Sequence, residues 1–219
     1  MDWSFILKHI PKYIDATYLT LLLAIGGIVL SIIIGIVCSS IIYFKVKILS
    51  SIVNLYIELS RNTPLLIQLF FLYYGLTKVG VHLSGFSCGI IGLAFLGGSY
   101  MCESFRAGLE SVSKSQIEAG ISVGLNSPQV FRYIIVPEAF SVSVPLLGAN
   151  CLFLLKETSI VGAIAIADLM FVAKDLIGMY YKTSEALFML VIAYLIILLP
   201  ISILTSVLER RSRYAQYGN

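Results

Sequence analysis

Two short clusters of ionisable residues interrupt otherwise apolar sequence: Glu58 with Arg61, three positions apart, and the adjacent pair Lys156 and Glu157. On a helix, the first spacing puts both side chains on one face. An ionisable group at the bilayer centre costs about 2.5–3.5 kcal/mol on insertion scales, so such groups persist where they have a task. Their formal charges sum to zero. Asn62, Thr63 and Gln68 stand close to the first pair, and Thr158 and Ser159 directly follow the second. Two chemistries fit. One is pairing of the charges across a helix bundle, which fixes register without touching a ligand. The other is a polar path for a zwitterionic or charged solute, its ammonium near a carboxylate and its carboxylate near Arg61 or Lys156. The surrounding hydroxyls and amides favour the path for the cluster as a whole.

Other candidate groups point elsewhere. Glu103 and Arg106 repeat the three-residue spacing near the end of an apolar stretch, where an interfacial salt bridge is the expectation. Asp168, at the end of another, reads as a solvated cap or a contact for an external partner. The sequence contains no G-x-x-x-x-G-K-[ST] phosphate loop and no H-E-x-x-H zinc motif. Cys38, Cys88, Cys102 and Cys151 lack metal-ligand spacing and suit small core positions. An enzyme is not expected, nor a cofactor bound by this chain.

The elements that must position these residues are membrane helices. Of the 219 residues, 58% are hydrophobic and 12% charged, against about 25% charged in soluble domains. Repeated apolar runs long enough to cross about 30 Å of hydrocarbon predict an all-α integral membrane protein with about five spans. The runs are about Tyr18 to Phe44, Ile52 to Val79, Cys88 to Ala107, Pro145 to Leu169 and Glu185 to Val207, with a polar turn (Lys174, Asp175, Lys182) before the last. Residues 1–16 read as a separate amphipathic segment lying at the interface, with Trp3 as its anchor. The tail, about 208–219, is basic. The chain reads as a single domain, and its net charge of +3 is too small and dispersed for a nucleic-acid surface.

Between the third and fourth spans lies a polar insert, about Gly108 to Val142. Ser115 and Glu118 have capping-box spacing, so a helix is predicted from Ser115. Ser127 suits an N-cap and Pro128 the first position of a second short helix, which Pro137 should stop. Gly120 and Gly124 leave room for a close contact or a bend. The insert thus reads as a structured helix–turn–helix on the membrane surface, a docking feature for a soluble partner.

With five spans, Lys45, Lys47, Lys114, Arg132, Arg210, Arg211 and Arg213 share one side, and Lys8, Lys12, Lys78, Lys174 and Lys182 the other. The excess of positive charge puts the insert and the C-terminus in the cytoplasm and the N-terminus outside.

The insert resembles the cytoplasmic "EAA" loop of ABC-importer membrane subunits, a pattern of E-A-A, three residues, G, nine residues and I-x-L-P. Here Glu118-Ala119-Gly120 is followed by Gly124, then nine residues to Ile134, then Val136-Pro137. Gly120 stands for the second Ala and Val136 for Leu. Ser60-Arg-Asn-Thr-Pro-Leu-Leu-Ile-Gln-Leu-Phe-Phe-Leu-Tyr-Tyr-Gly75 is similar to the R-G-T-P-L-L-x-Q-L-F-F-x-Y-Y-G signature of the polar-amino-acid branch, with Asn62 in place of Gly. Tyr100 to Gly108 and Leu154 to Ser159 look like two further signatures, so the likeness covers nearly the whole chain.

The resemblance implies the permease subunit of an ATP-driven importer of a polar amino acid, glutamine/glutamate-like or basic, in a bacterial inner membrane. It implies two such subunits, identical or homologous, a cytoplasmic ABC ATPase dimer that binds the ATP, and an external or periplasmic amino-acid-binding protein. Gln116, Glu118, Ala119, Gly120, Gly124, Phe131, Arg132 and Pro137 are then the coupling residues. Glu58, Arg61, Gln68, Lys156, Glu157, Thr158 and Ser159 are the candidate substrate path. A self-contained secondary carrier or channel is the alternative, although such carriers usually show an internal repeat. A membrane scaffold that recruits a partner through the insert is a second one.

Overall fold

A computed structural model describes the backbone of residues 1–217 and the side chains of residues 1–211, so the Arg213 side chain lies outside the described residues. The helices are α1 (Trp3–Tyr43), α2 (Lys47–Asn62), α3 (Leu65–Phe70), α4 (Gly85–Ser111), α5 (Lys114–Ser122), α6 (Ser127–Val130), α7 (Val136–Glu157), α8 (Leu169–Tyr180) and α9 (Thr183–Tyr217). Among the described residues, four helical stretches are long and apolar enough to cross a membrane: Trp3–Tyr43, Gly85–Ser111, Ser127–Ile164 and Thr183–Arg211.

The expected second span is not one helix. Pro64 offers no N–H and forces Thr63 into an extended conformation (φ −113°, ψ 123°). The chain therefore breaks after α2 and restarts as α3, which runs on through a π turn at Phe71–Gly75 and a 3-10 turn at Leu76–Val79. The apolar stretch Leu65–Val79 is shorter than a full span.

The N-terminal segment is not separate either. Residues 3–16 form the start of the 41-residue α1, which is about 60 Å long at 1.5 Å per residue. No stop signal separates Ala16 from Tyr18, and the first turns find an apolar surface inside the protein. Phe5 and His9 pack against Tyr180, and the Tyr13 hydroxyl donates to the Ala186 carbonyl at 2.8 Å. Trp3 remains exposed, edge-on to Phe188. Asp2 caps α1 through the Phe5 N–H, accepts from Lys182, and gives its own N–H to Glu185. These contacts clasp the N-terminus to the α8–α9 turn, where a helix of 12 residues replaces the expected polar turn.

α1, α4 and α7 form the centre. The hydrophobic core between them includes Leu23, Leu93, Met101 and Leu154, all at most 1% exposed. α7 lies against α4 closely enough that the place of a Gly108 side chain is filled by the Ser143 hydroxyl and the Ala139 carbonyl. Ser143 donates to the Ser104 carbonyl, and Asn150 donates to the Ser104 hydroxyl and the Tyr100 carbonyl. α2 joins the same helix through Tyr56 and Ser60, whose hydroxyls both donate to the Phe95 carbonyl.

Candidate functional site

The insert folds as a helical hairpin whose caps differ from the expected ones by one or two residues. Ser113, not Ser115, caps α5: its hydroxyl accepts from the Gln116 N–H while the Gln116 side chain accepts from the Ser113 N–H. Ser113 follows the extended Val112, which ends α4, and so has the dihedral freedom an N-cap needs. Asn126, not Ser127, caps α6, in a reciprocal arrangement with Gln129 that leaves Pro128 within the first turn.

Each glycine has a distinct reason. Gly124 ends α5 at φ +91°. The Gly124 N–H donates to the Ile121 carbonyl and the Leu125 N–H to the Gly120 carbonyl, the pair of bonds that closes a Schellman cap. A side chain there would meet nothing within 4 Å. Gly120 is buried, and Ile134, Val130 and Leu125 occupy the space a side chain would need.

Pro137 does not stop the second short helix. It cannot donate to the Tyr133 carbonyl, and its ring would crowd that group in a regular helix. The preceding turn, Phe131–Ile135, widens into a π turn in which the Val136 N–H donates to the Phe131 carbonyl. α6 therefore continues into α7, and Ser127–Ile164 is one helical path. The helix that carries the fourth span thus begins well before Pro145, and Lys156 and Glu157 stand at the end of α7, where the α-helix gives way to a 3-10 turn.

Of the proposed coupling residues, Glu118, Ala119, Gly124, Arg132 and Pro137 are exposed. Gln116 is exposed yet committed within the protein, its amide donating to Glu138 at 2.6 Å. Phe131 turns toward the end of α1, its ring centroid 6.3 Å from Tyr43 and 6.0 Å from Phe44. Ile121 and Val123 are 56% and 78% exposed, an apolar edge on an otherwise polar hairpin.

The ionisable cluster is arranged differently from pairing across a bundle. Glu58 is exposed and accepts from Asn62 at 2.9 Å. The Arg61 guanidinium stacks on Tyr100, 4.9 Å from the ring centroid. Among the described residues, neither Arg61 nor Lys156 has a carboxylate within 4.0 Å. Glu58, Arg61, Asn62, Tyr100 and Ile57 line a concavity of about 280 Å³. Tyr100 also packs against Phe153 of α7, with 5.2 Å between ring centroids, about one helical turn before Lys156. Lys156 is exposed, Glu157 and Ser159 half-buried and Thr158 fully buried. Thr158 donates to the Leu155 carbonyl where the α-helix tightens into the 3-10 segment Thr158–Ile164.

Gln68 lies apart from this surface. It is buried, and its amide donates to the Ser60 and Thr63 carbonyls at the α2–α3 break. Tyr100 was not legible as a site residue, because an aromatic within an apolar helix reads as core; it entered only as the first residue of the Tyr100 to Gly108 signature. Glu103 and Arg106 do form an ion pair, at 2.6 Å, which Glu110 extends.

Asp168 departs most from expectation. It is neither solvated nor turned to an outside partner, but 0% exposed. It caps α8 by accepting from the Phe171 N–H at 2.9 Å. Burial pushes its carboxyl up to about 6, against the backbone donors at the cap and the positive charge of Lys174.

Comparison with known proteins agrees with this architecture. Residues 18–214 match the family described as "Binding-protein-dependent transport system inner membrane component". The chain is 34% identical to "Probable amino-acid permease protein YxeN" of Bacillus subtilis, over 96% of this chain and 95% of that one. It is 33% identical to "Probable glutamine ABC transporter permease protein GlnM" of Bacillus subtilis, over 96% and 98%. It is 28% identical to "Glutamine transport system permease protein GlnP" of Escherichia coli K12, over 97% and 98%. A solved structure, "Crystal structure of an amino acid ABC transporter with histidines", superposes with a TM-score of 0.90 at 31% identity, over 96% of this chain and 99% of that one. An inward-facing structure of the MetNI methionine ABC transporter shares the fold, with a TM-score of 0.75 at 17% identity, over 91% and 95%.

Proposed function

Because the chain belongs to the family of binding-protein-dependent transport system inner membrane components, we propose that it carries a polar amino acid across the bacterial inner membrane as one half of an ATP-driven pore. It is a multi-pass membrane permease subunit of an amino-acid ABC importer and not a catalytic chain. The finer reading has four parts. A second copy or a homologue completes the pore, an external or periplasmic binding protein delivers the solute, and a cytoplasmic ATPase dimer binds ATP. The N-terminus is outside and the C-terminus cytoplasmic.

The observation that carries this reading is the hairpin at residues 113–135. It has two reciprocal caps, a Schellman closure and a buried glycine contact, so it moves as a unit. Its free edge presents Ile121 and Val123 to a partner. The π turn at Phe131–Ile135 joins it without a flexible link to α7, whose other end bears Lys156 and Glu157. A displacement of the hairpin by a closing ATPase therefore reaches the region of the candidate substrate path through continuous helix.

That path consists of Glu58, Arg61, Lys156, Glu157, Thr158 and Ser159. Stacking on Tyr100 holds Arg61 in place while leaving its N–H edge available, the geometry a substrate carboxylate requires. The membership and the near full-length likeness to amino-acid permeases support an importer over a self-contained carrier. The test is co-purification from mild detergent with a C-terminal tag, followed by reconstitution. A P-loop ATPase retained by the native chain and lost with Gly124→Asp, together with uptake that requires ATP, supports the reading. A chain that purifies alone and moves amino acids in liposomes without ATP would overturn it.

A further inference from the structure

We propose that Asp168 and Tyr194 are positioning residues of the transporter, setting where Thr158 and Ser159 stand; this rests on the reading that those two hydroxyls line the substrate path.

The segment between α7 and α8 turns through the 3-10 helix Thr158–Ile164 and the left-handed Ala165 (φ +60°) to Asp168. Asp168 Oδ1 both follows and packs against this turn. It caps α8, and it lies where a Gly162 side chain would be, 2.6 Å from that position. The next residue is fixed as well, since the Leu169 N–H donates to the Thr20 hydroxyl of α1 at 3.3 Å.

The second carboxylate oxygen, Oδ2, is fully buried without a hydrogen-bond partner, and so is the Tyr194 hydroxyl of α9. Tyr194 packs against the buried cluster that includes Leu155 and Leu169, the first three residues before Thr158 and the second next to Asp168, and it feels the Asp168 charge and the Thr158 and Ser159 side chains. A buried acceptor and a buried donor, each unsatisfied and bordering the same cluster, are driven to pair when a small backbone shift permits it. Drawing the Tyr194 hydroxyl toward Asp168 moves it away from Thr158 and Ser159; releasing it leaves it free to bond them.

The attraction depends on charge. From α8, Lys174 acts on Asp168; from α9, Tyr194 is its titratable neighbour; α1 presents the Thr20 hydroxyl and the 3-10 turn presents Gly162. With its carboxyl raised to about 6, Asp168 is an anion at neutral pH and an uncharged acid below it. The hold on Tyr194 is present above that value and lost below it.

The test is ATP-driven uptake by the complete transporter in liposomes, with substrate concentration varied at several values from about pH 5 to about pH 8. The native KM should rise about threefold on acidification while kcat changes less. Asp168→Asn, which retains the cap on α8, should show the acidic KM at every pH. Tyr194→Phe, which retains the ring, should show it at neutral pH. A native pH profile in Asp168→Asn with a native KM in Tyr194→Phe would overturn the proposal. Thr158→Val and Ser159→Ala separate the premise from the inference. If both leave KM native, the path reading fails and the positioning role falls with it; if they raise KM while Asp168→Asn and Tyr194→Phe do not, the positioning role alone fails.

Discussion

The side-chain amide of Gln68 donates to the carbonyl of Ser60 at 3.1 Å, the acceptor that Pro64 leaves open by having no N–H to offer. The same nitrogen reaches the Thr63 carbonyl at 2.9 Å. A helix break inside an apolar region strands backbone acceptors where water cannot satisfy them, and one amide four residues past the proline takes up two of them.

Gln68→Leu should therefore destabilise the chain by about 1–3 kcal/mol, the usual cost of leaving buried acceptors unpaired. Thermal unfolding in detergent reads this out. Pro64→Ala in the same background should recover part of the loss by restoring the missing N–H. Equal unfolding temperatures for native and Gln68→Leu chains would rule out the bridging role.

The two insert glycines should fail in different ways. Gly120→Val places a branched side chain against Ile134 and Val130, so the hairpin should open and its amides exchange rapidly with deuterium. Gly124→Asp puts the side chain in open space at a φ that Asp tolerates better than most residues. Its amides should stay protected while ATPase co-purification and uptake are lost. Native transport by Gly124→Asp would count against docking at this edge.

Arg61→Lys should raise the KM for uptake about tenfold or more, since a lysine neither stacks flat on Tyr100 nor presents a planar fork to a carboxylate. Tyr100→Leu should weaken binding by about 0.5–2 kcal/mol through loss of the cation–π contact. Concentration-dependent uptake measures both. An unchanged KM in Arg61→Lys would remove Arg61 from the path.

The clasp at the N-terminus should outlast mild acid. The Asp2 carboxyl is held down to about 2, below its ordinary 3.8, by hydrogen bonds from the Ser4 hydroxyl and the Phe5 N–H and by Lys182. A depressed carboxyl contributes stability that is complete above its ordinary value and is lost as pH falls through the depressed one. The first turn of α1 should hold its exchange protection from neutrality to about pH 4 and lose it between there and about 2. Asp2→Ala should lose it at all pH values.

Much of this architecture was readable from the residues because apolar run length and the insert's polar composition are local properties. The first, third and last spans follow from run length alone. The split of the second required knowing that Pro64 would win over the apolar run, and that Gln68 would make the break tolerable. The cap positions shifted because Ser113 and Ser115 both have a Gln or Glu three residues on; α4 ends at Val112, and that tertiary fact selects Ser113. Pro137 misled for a similar reason, since a π turn removes the conflict that ordinarily ends a helix at proline. The burial of Asp168 had no local signal at all. Its surroundings come from Thr20, Gly162 and Tyr194, which only the fold brings near.

The unbroken path from Ser127 to Ile164 spans about 55 Å at helical rise. α4 holds it along a length and not at a point: Ala139 lies against Gly108, Ser143 and Asn150 donate to Ser104, and Leu154 fills the space beside Gly97. A rod clamped over that distance has no single fulcrum about which to tilt alone. Under the proposed coupling, a push at the hairpin would carry α4 along with it.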